Sequence, residues 1–199
     1  DGSQVELGSH SILSLVYDDQ TRRVRLSQGE AVFTPAPMNE QERRPFTVQA
    51  PGADITARGT RYLVGVGKDR EGWVGVLQHR VEVNLTPHGR DEATGSALLE
   101  QGNSLRFSPK TGLVPLNTNP EELASWQEGR LVFQRESLAD VAARINRYRP
   151  GLVLVKGEAL RNARVSAVMR LDNLDDALEH LVAQVHGRMV DLPGLTLIY

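Results

Sequence analysis

The sequence predicts a chain in two parts. Residues 1–127 read as an all-β domain of stacked antiparallel sheets, sandwich- or solenoid-like, and residues 128–199 as a small α+β domain. Two observations carry this. Up to about residue 125 the apolar residues alternate or cluster in short runs, turn residues part them about every ten positions, and helical periodicity is absent. From Ser137 the apolar spacing becomes helical, and the same pattern returns 36 residues further on.

The β runs come in order as "SILSLVY", "RRVRL", "EAVFTP", "FTVQA", "DITA", "RYLVGVG", "WVGVL", "RVEVNL" and "SLRFS". The polar, proline-bounded stretch 35–45 and the stretch 86–95 are expected loops, and "GKDREG" (67–72) an expected hairpin tip. "LNTNPEELASWQEG" (116–129) is the boundary, with Asn119-Pro120 placed to start a turn or short helix.

Beyond it, "RLVFQ" (130–134) is an expected strand and Ser137 a helix N-cap, with Asp140 three residues on. Leu138, Val141, Ala142, Ile145 and Tyr148 lie on one helical face, which Pro150-Gly151 ends. "LVLV" (152–155) follows as a strand. The second copy has "RVSAVMR" (164–170) as its strand and Asn173 as its cap. Leu174, Ala177, Leu178, Leu181, Val182 and Val185 form its apolar face, Gly187 its C-terminal stop and "RMVDL" (188–192) its closing strand. "DLPGLTLIY" then makes a hairpin with Pro193-Gly194 at the tip. This is a duplicated β-α-β unit whose helices are expected to cover sheet surface.

Composition narrows the function. The 199 residues carry 23 Lys and Arg against 25 Asp and Glu, a formal charge of -2, whereas nucleic-acid binders usually show a basic excess. No cysteine is present, so disulfides, thiol nucleophiles and thiolate metal sites are excluded. No apolar run approaches the ~20 residues that span a bilayer. The opening "DGSQVEL" reads as mid-domain, so the chain is expected to be a fragment whose missing N-terminal part carries the membrane signal.

Catalytic patterns are wanting. The adjacent carboxylates Asp18-Asp19 and Asp175-Asp176 suit a turn and a helix N-terminus. His10, His79, His88, His180 and His186 form no metal-binding spacing. Gly65, Gly67 and Gly72 miss the G-x-G-x-x-G fingerprint, and Ser96 lacks the G-x-S-x-G setting of a nucleophile. No enzyme, cofactor or metal is expected. Trp73 and Trp126 are expected core anchors; exposed, they would suit a carbohydrate-binding β-domain instead.

Six stretches in series resemble the periplasmic part of the FecR-type transmembrane anti-sigma regulators. They are "DGSQVELGSHS" (1–11), "RVRLSQGEAVF" (23–33), "RPFTVQAPGADITARGTRYLV" (44–64), "WVGVLQHRVEV" (73–83), "LLEQGNSL" (98–105) and "WQEGRLVFQRESLADVAARINRY" (126–148). The β-α-β repeat resembles the short N-terminal domain of secretins and TonB-dependent receptors. The family usually has glycine where this chain has His79, which implies an αL histidine or a locally different turn.

The resemblance implies a periplasmic relay, a fragment of a single-pass inner-membrane protein. Its partner would be the N-terminal signalling domain of an outer-membrane TonB-dependent siderophore transporter. A missing cytoplasmic domain would hold an extracytoplasmic-function sigma factor, released by regulated proteolysis involving site proteases. No direct small-molecule ligand is implied. A periplasmic self-assembling or secretin-like module is the alternative. For the contact surface, the terminal strand Leu195, Thr196, Leu197, Ile198 and Tyr199 is the first candidate, as an exposed edge that accepts a partner strand; the other reading is that it finishes the core. Arg144, Arg147 and Arg149 form a second candidate on the polar side of the first helix, where a solvated face explains them equally.

Overall fold

A computed structural model describes residues 1–57, 59–67 and 69–199; Arg58 and Lys68, the latter inside the expected 67–72 tip, lie outside the described residues. The chain divides into two compact units, Asp1–Ala124 and Ser125–Tyr199. Strands dominate, at 47% of the chain against 18% helix.

The first unit holds β1 (Gln4–Leu7), β2 (Ile12–Leu15), β3 (Arg22–Thr34), β4 (Phe46–Ala50), β5 (Ala53–Ala57) and β6 (Arg61–Val66). It continues with β7 (Gly72–Gln78), β8 (Arg80–Leu85), β9 (Ser96–Glu100), β10 (Ser104–Ser108), β11 (Gly112–Leu116) and the short helix α1 (Pro120–Leu123). The expected runs 22–26 and 30–35 are one strand. "SQG" between them reads as a break, but it is a bend at which β3 passes from one sheet into the other. The N-terminal half of β3 pairs with β2 and, in parallel, with β4. Its C-terminal half pairs antiparallel with β1 and β6. Gly29 makes the bend at φ +82°, and a Cβ there would lie 2.3 Å from Ser11 Oγ. Ser11 Oγ bridges the gap, donating to Glu30 O (2.7 Å) and accepting from Glu30 N–H (2.9 Å).

From β4 onward the chain lays hairpins on the two sheets by turns: β4–β5, β6–β7, β8–β9, β10–β11. Period-two alternation points one side of each strand into a shared core of Val24, Leu26, Phe33, Val48, Ile55, Tyr62, Val64, Val76, Val83 and Phe107. β11 is absent from the sequence expectation because Pro115 argues against a strand; it is an edge strand, where proline is tolerated.

The crossings between sheets fall between β5 and β6, β7 and β8, and β9 and β10. His79 is the single residue between β7 and β8 and adopts αL at φ +61°. Its Nδ1–H donates to Gly59 O at 2.7 Å, and its own carbonyl accepts from Gln101 N–H at 2.7 Å. The ring thus ties one crossing to the next, a bond that glycine cannot make. At the opposite ends, Arg70 joins the tips, pairing with Glu92 (2.7 Å) and donating to Thr86 O (2.8 Å).

The second unit contains β12 (Arg130–Ser137), α2 (Leu138–Ile145), β13 (Leu152–Val155), α3 (Glu158–Asn162), β14 (Arg164–Arg170), α4 (Leu174–Gln184), β15 (Met189–Leu192) and β16 (Leu195–Ile198). β12 pairs antiparallel with β14, while β16 lies between β13 (parallel) and β15 (antiparallel). The order strand–helix–strand occurs twice, but in each copy the two strands lie in different sheets, β12 and β14 in one, β13 and β15 in the other; both helices bury the expected leucine and valine faces. Ser137 caps α2 as expected, accepting from Asp140 N–H at 3.1 Å. Asn173 makes no side-chain cap bond on α4. That helix ends in a Schellman arrangement in which His186, not Gly187, takes the αL position (φ 55°): His186 N–H reaches Ala183 O and Gly187 N–H reaches Val182 O. α3 is a further difference; it has no capping side chain to announce it.

Candidate docking surface

The site is the outer face of the three-stranded sheet β13–β16–β15. Alternation sends Val153, Val155, Thr196 and Ile198 inward, all buried. It sends Leu152 and Leu154 of β13, Leu195 and Leu197 of β16, and Val190 and Leu192 of β15 outward. The registers align them in two rows, Leu152–Leu195–Leu192 and Leu154–Leu197–Val190. Leu152 and Leu154 are each 45% exposed, Val190 40% and Leu192 52%, so the face is open to solvent. One step further the pairing continues through backbone bonds of Lys156 and Arg188 to Ile198 and Tyr199. A third row, Lys156–Tyr199–Arg188, thereby closes the grid, with all three residues exposed.

The expectation for the terminal strand is corrected in its chemistry. β16 is the central strand, with β13 on one side and β15 on the other, so its backbone groups are taken and it cannot accept a partner strand. Nor does it simply finish the core. Thr196 and Ile198 do so, while Leu195, Leu197 and Tyr199 belong to the outer face.

The arginine candidates are likewise corrected. Arg144 does not stand on a solvated face: it donates to Val132 O (3.0 Å), pairs with Glu136 (3.1 Å) and stacks 4.7 Å from the Phe133 ring. Arg149 pairs with Asp175 (2.6 Å) and donates to Thr196 Oγ1 (3.1 Å), which itself donates to Asp191 Oδ1 (2.6 Å). This chain of bonds lines an open cleft of about 470 Å³. Arg147 is half-buried. Two of the three side chains are therefore ties within the unit.

Other singled-out groups fall into structural places. Asp18 Oδ1 accepts from the N–H groups of Gln20 and Thr21, both at 2.7 Å, and these bonds hold its carboxyl below the usual range. Trp126 is buried, and Trp73 lies across the strand pair over Gly65, where a Cβ would fall 2.0 Å from the indole. Among the described residues no three His, Cys, Asp or Glu side chains gather as a metal site, and no helix is long and apolar enough to cross a membrane. Sequence reasoning missed Arg22, fully buried on β3, which pairs with Asp1 (2.9 Å) and donates to the carbonyls of Arg44 and Ala36. Its position at the start of an alternating strand gave no sign of burial.

An all-β sandwich followed by a duplicated β-α-β unit with one uncovered apolar sheet face is the class of molecule these residues define. Residues 1–82 match the family model described as FecR protein. Two crystal structures of a protein from Parabacteroides distasonis ATCC 8503, provisionally described as an anti-sigma factor, are similar in fold. They align over 100% of this chain and 91% and 90% of theirs, with TM-scores of 0.82 and 0.81 at 20% and 19% identity. No curated protein matches the chain.

Proposed function

We propose that the chain is the periplasmic signalling part of a FecR-type anti-sigma regulator. In this reading it binds the N-terminal signalling domain of a TonB-dependent siderophore transporter and relays the iron-siderophore signal to an extracytoplasmic-function sigma factor. Residues 128–199 are then a domain of the secretin/TonB short N-terminal type, and 1–127 the FecR-type domain. The FecR match over residues 1–82 supports the anti-sigma class. The uncovered grid on β13–β16–β15 is the observation that carries the docking role.

Monomeric proteins rarely expose contiguous apolar patches beyond a few hundred Å² without a binding function. Three strands about 4.8 Å apart, with outward positions about 6.8 Å apart, give the two apolar rows about 200 Å² and the whole three-row grid about 300 Å². A standard interface buries about 800 Å² on each partner. The two leucine-rich rows thus suit the dry centre of an interface whose rim extends beyond them.

The test is titration of the 199-residue chain with the purified N-terminal signalling domain of a TonB-dependent siderophore transporter, followed by calorimetry. The wild-type chain binds, and Leu154→Asp/Leu197→Asp weakens binding at least about 100-fold, as loss of a central anchor does. Equal binding by the variant removes this surface from the proposal. The open face suits a second copy of the chain as well; concentration-dependent oligomers that the same variant abolishes, with no transporter-domain binding, would make the chain a self-assembling module instead.

A further inference from the structure

Resting on that docking reading, we infer that the partner's contact surface is apolar over two rows and acidic at one end, with its carboxylates seated over Lys156 and Arg188. The grid is chemically polar along the strand direction. Its first two rows contain only leucine and valine, and its third places two cations on either side of an exposed tyrosine.

No carboxylate side chain occupies the grid. Asp191, the one acidic residue of β15, alternates to the other face, where it accepts from Thr196 Oγ1. Elsewhere in this unit Arg130, Arg144, Arg149 and Arg170 each hold a carboxylate of the same unit. Lys156 and Arg188 hold none among the described residues.

The spacing fixes what fits. Successive rows lie about 6.8 Å apart along the strands. A partner that sets an apolar side chain on Leu154, Leu197 and Val190 must therefore carry its acid one such step further on. In an extended segment this is two residues past the anchor; on a helix it is about one turn past it. An apolar-only partner would bury Lys156 and Arg188 against hydrocarbon, where unpaired charge is costly, or stop short of them and forfeit the rim. A basic partner meets like charge. The polarity also sets direction, because reversing the partner end for end puts its carboxylates on leucine.

The experiment compares three proteins against the same transporter signalling domain at low and high ionic strength, with circular dichroism to confirm that each is folded. The wild-type chain is expected to lose affinity as salt rises. Lys156→Glu/Arg188→Glu is expected to bind about tenfold more weakly at low salt and to gain affinity as salt rises, because repulsion is then screened. Leu154→Asp/Leu197→Asp is expected to lose binding at either salt. Should the charge-reversed chain bind as the wild type does while the aspartate variant fails, the acidic end is overturned and the docking surface stands. Should the aspartate variant bind normally, the docking surface itself falls.

Discussion

Two sheets in this molecule turn apolar side chains away from the core they build, and they meet different fates. On the sheet of β6 and β7 the outward Leu63 and Leu77 are buried, and α1 packs against both strands. Gly75 makes this possible: a Cβ there would lie 2.9 Å from Leu63 Cδ2 and 3.2 Å from Pro120 Cβ. On the β13–β16–β15 sheet the outward Leu152, Leu154, Val190 and Leu192 have no such cover. An apolar outer face needs something laid on it. In the first case the same unit supplies the helix; in the second the face stays exposed.

Substitutions can break this contrast. Leu63→Ala is expected to cost about 3 kcal/mol in urea unfolding, the usual penalty for a buried leucine. Leu197→Ala, equally outward but on the open face, is expected to cost under about 1 kcal/mol. Equal costs would mean that the second face is not open in solution. Gly75→Val pushes Pro120 off β7 and should cost about 2 kcal/mol through overpacking, seen as a lower melting temperature of the first unit.

Smaller effects sharpen the picture of each unit. Ser137→Ala removes the α2 cap and is expected to cost about 1 kcal/mol, in the second unit only. Tyr62→Phe should be neutral or stabilising by up to about 1 kcal/mol, since the buried phenol oxygen has no hydrogen-bond partner among the described residues. Burial pushes the Tyr62 phenol well above its ordinary value. Its folded form holds the proton more tightly than the unfolded chain does. Stability tied to this group is thus complete below about pH 10, the unfolded value, and declines above it. In Tyr62→Phe that alkaline decline should be shallower, which unfolding at two alkaline pH values would measure.

Much of this was readable in the chain. Alternation in "FTVQA", "DITA" and "RVEVNL" faithfully marks the inward side of each strand, because a shared core imposes period two. The helices of the repeat were equally plain, since their apolar stripes and the Ser137 cap are local features. What stayed hidden depends on neighbours in space. "RRVRLSQGEAVFT" looks like two strands because a bend shared between sheets needs polar and glycine residues, as a loop does. Whether 195–199 was an edge or a centre could not be read, as strand order is set by long-range pairing. The signal for the docking face was present, though. "LVLV" is apolar on both faces, a pattern usual for a strand covered on both sides. Arg144 and Arg149 read as solvated because their acceptors, Val132 O and Thr196 Oγ1, lie on other strands, the second 47 residues away.

The double membership of β3 has a consequence for how the first unit comes apart. A sandwich whose sheets share no strand can lose one and keep the other for a time. Here the chain from Arg22 to Thr34 pairs with four other strands, two in each sheet. Peeling either sheet strips half the partners from a strand on which the other depends. The unit should therefore melt in a single step, with the amides of β3 exchanging only through that global event. A module built this way comes apart as a whole or not at all.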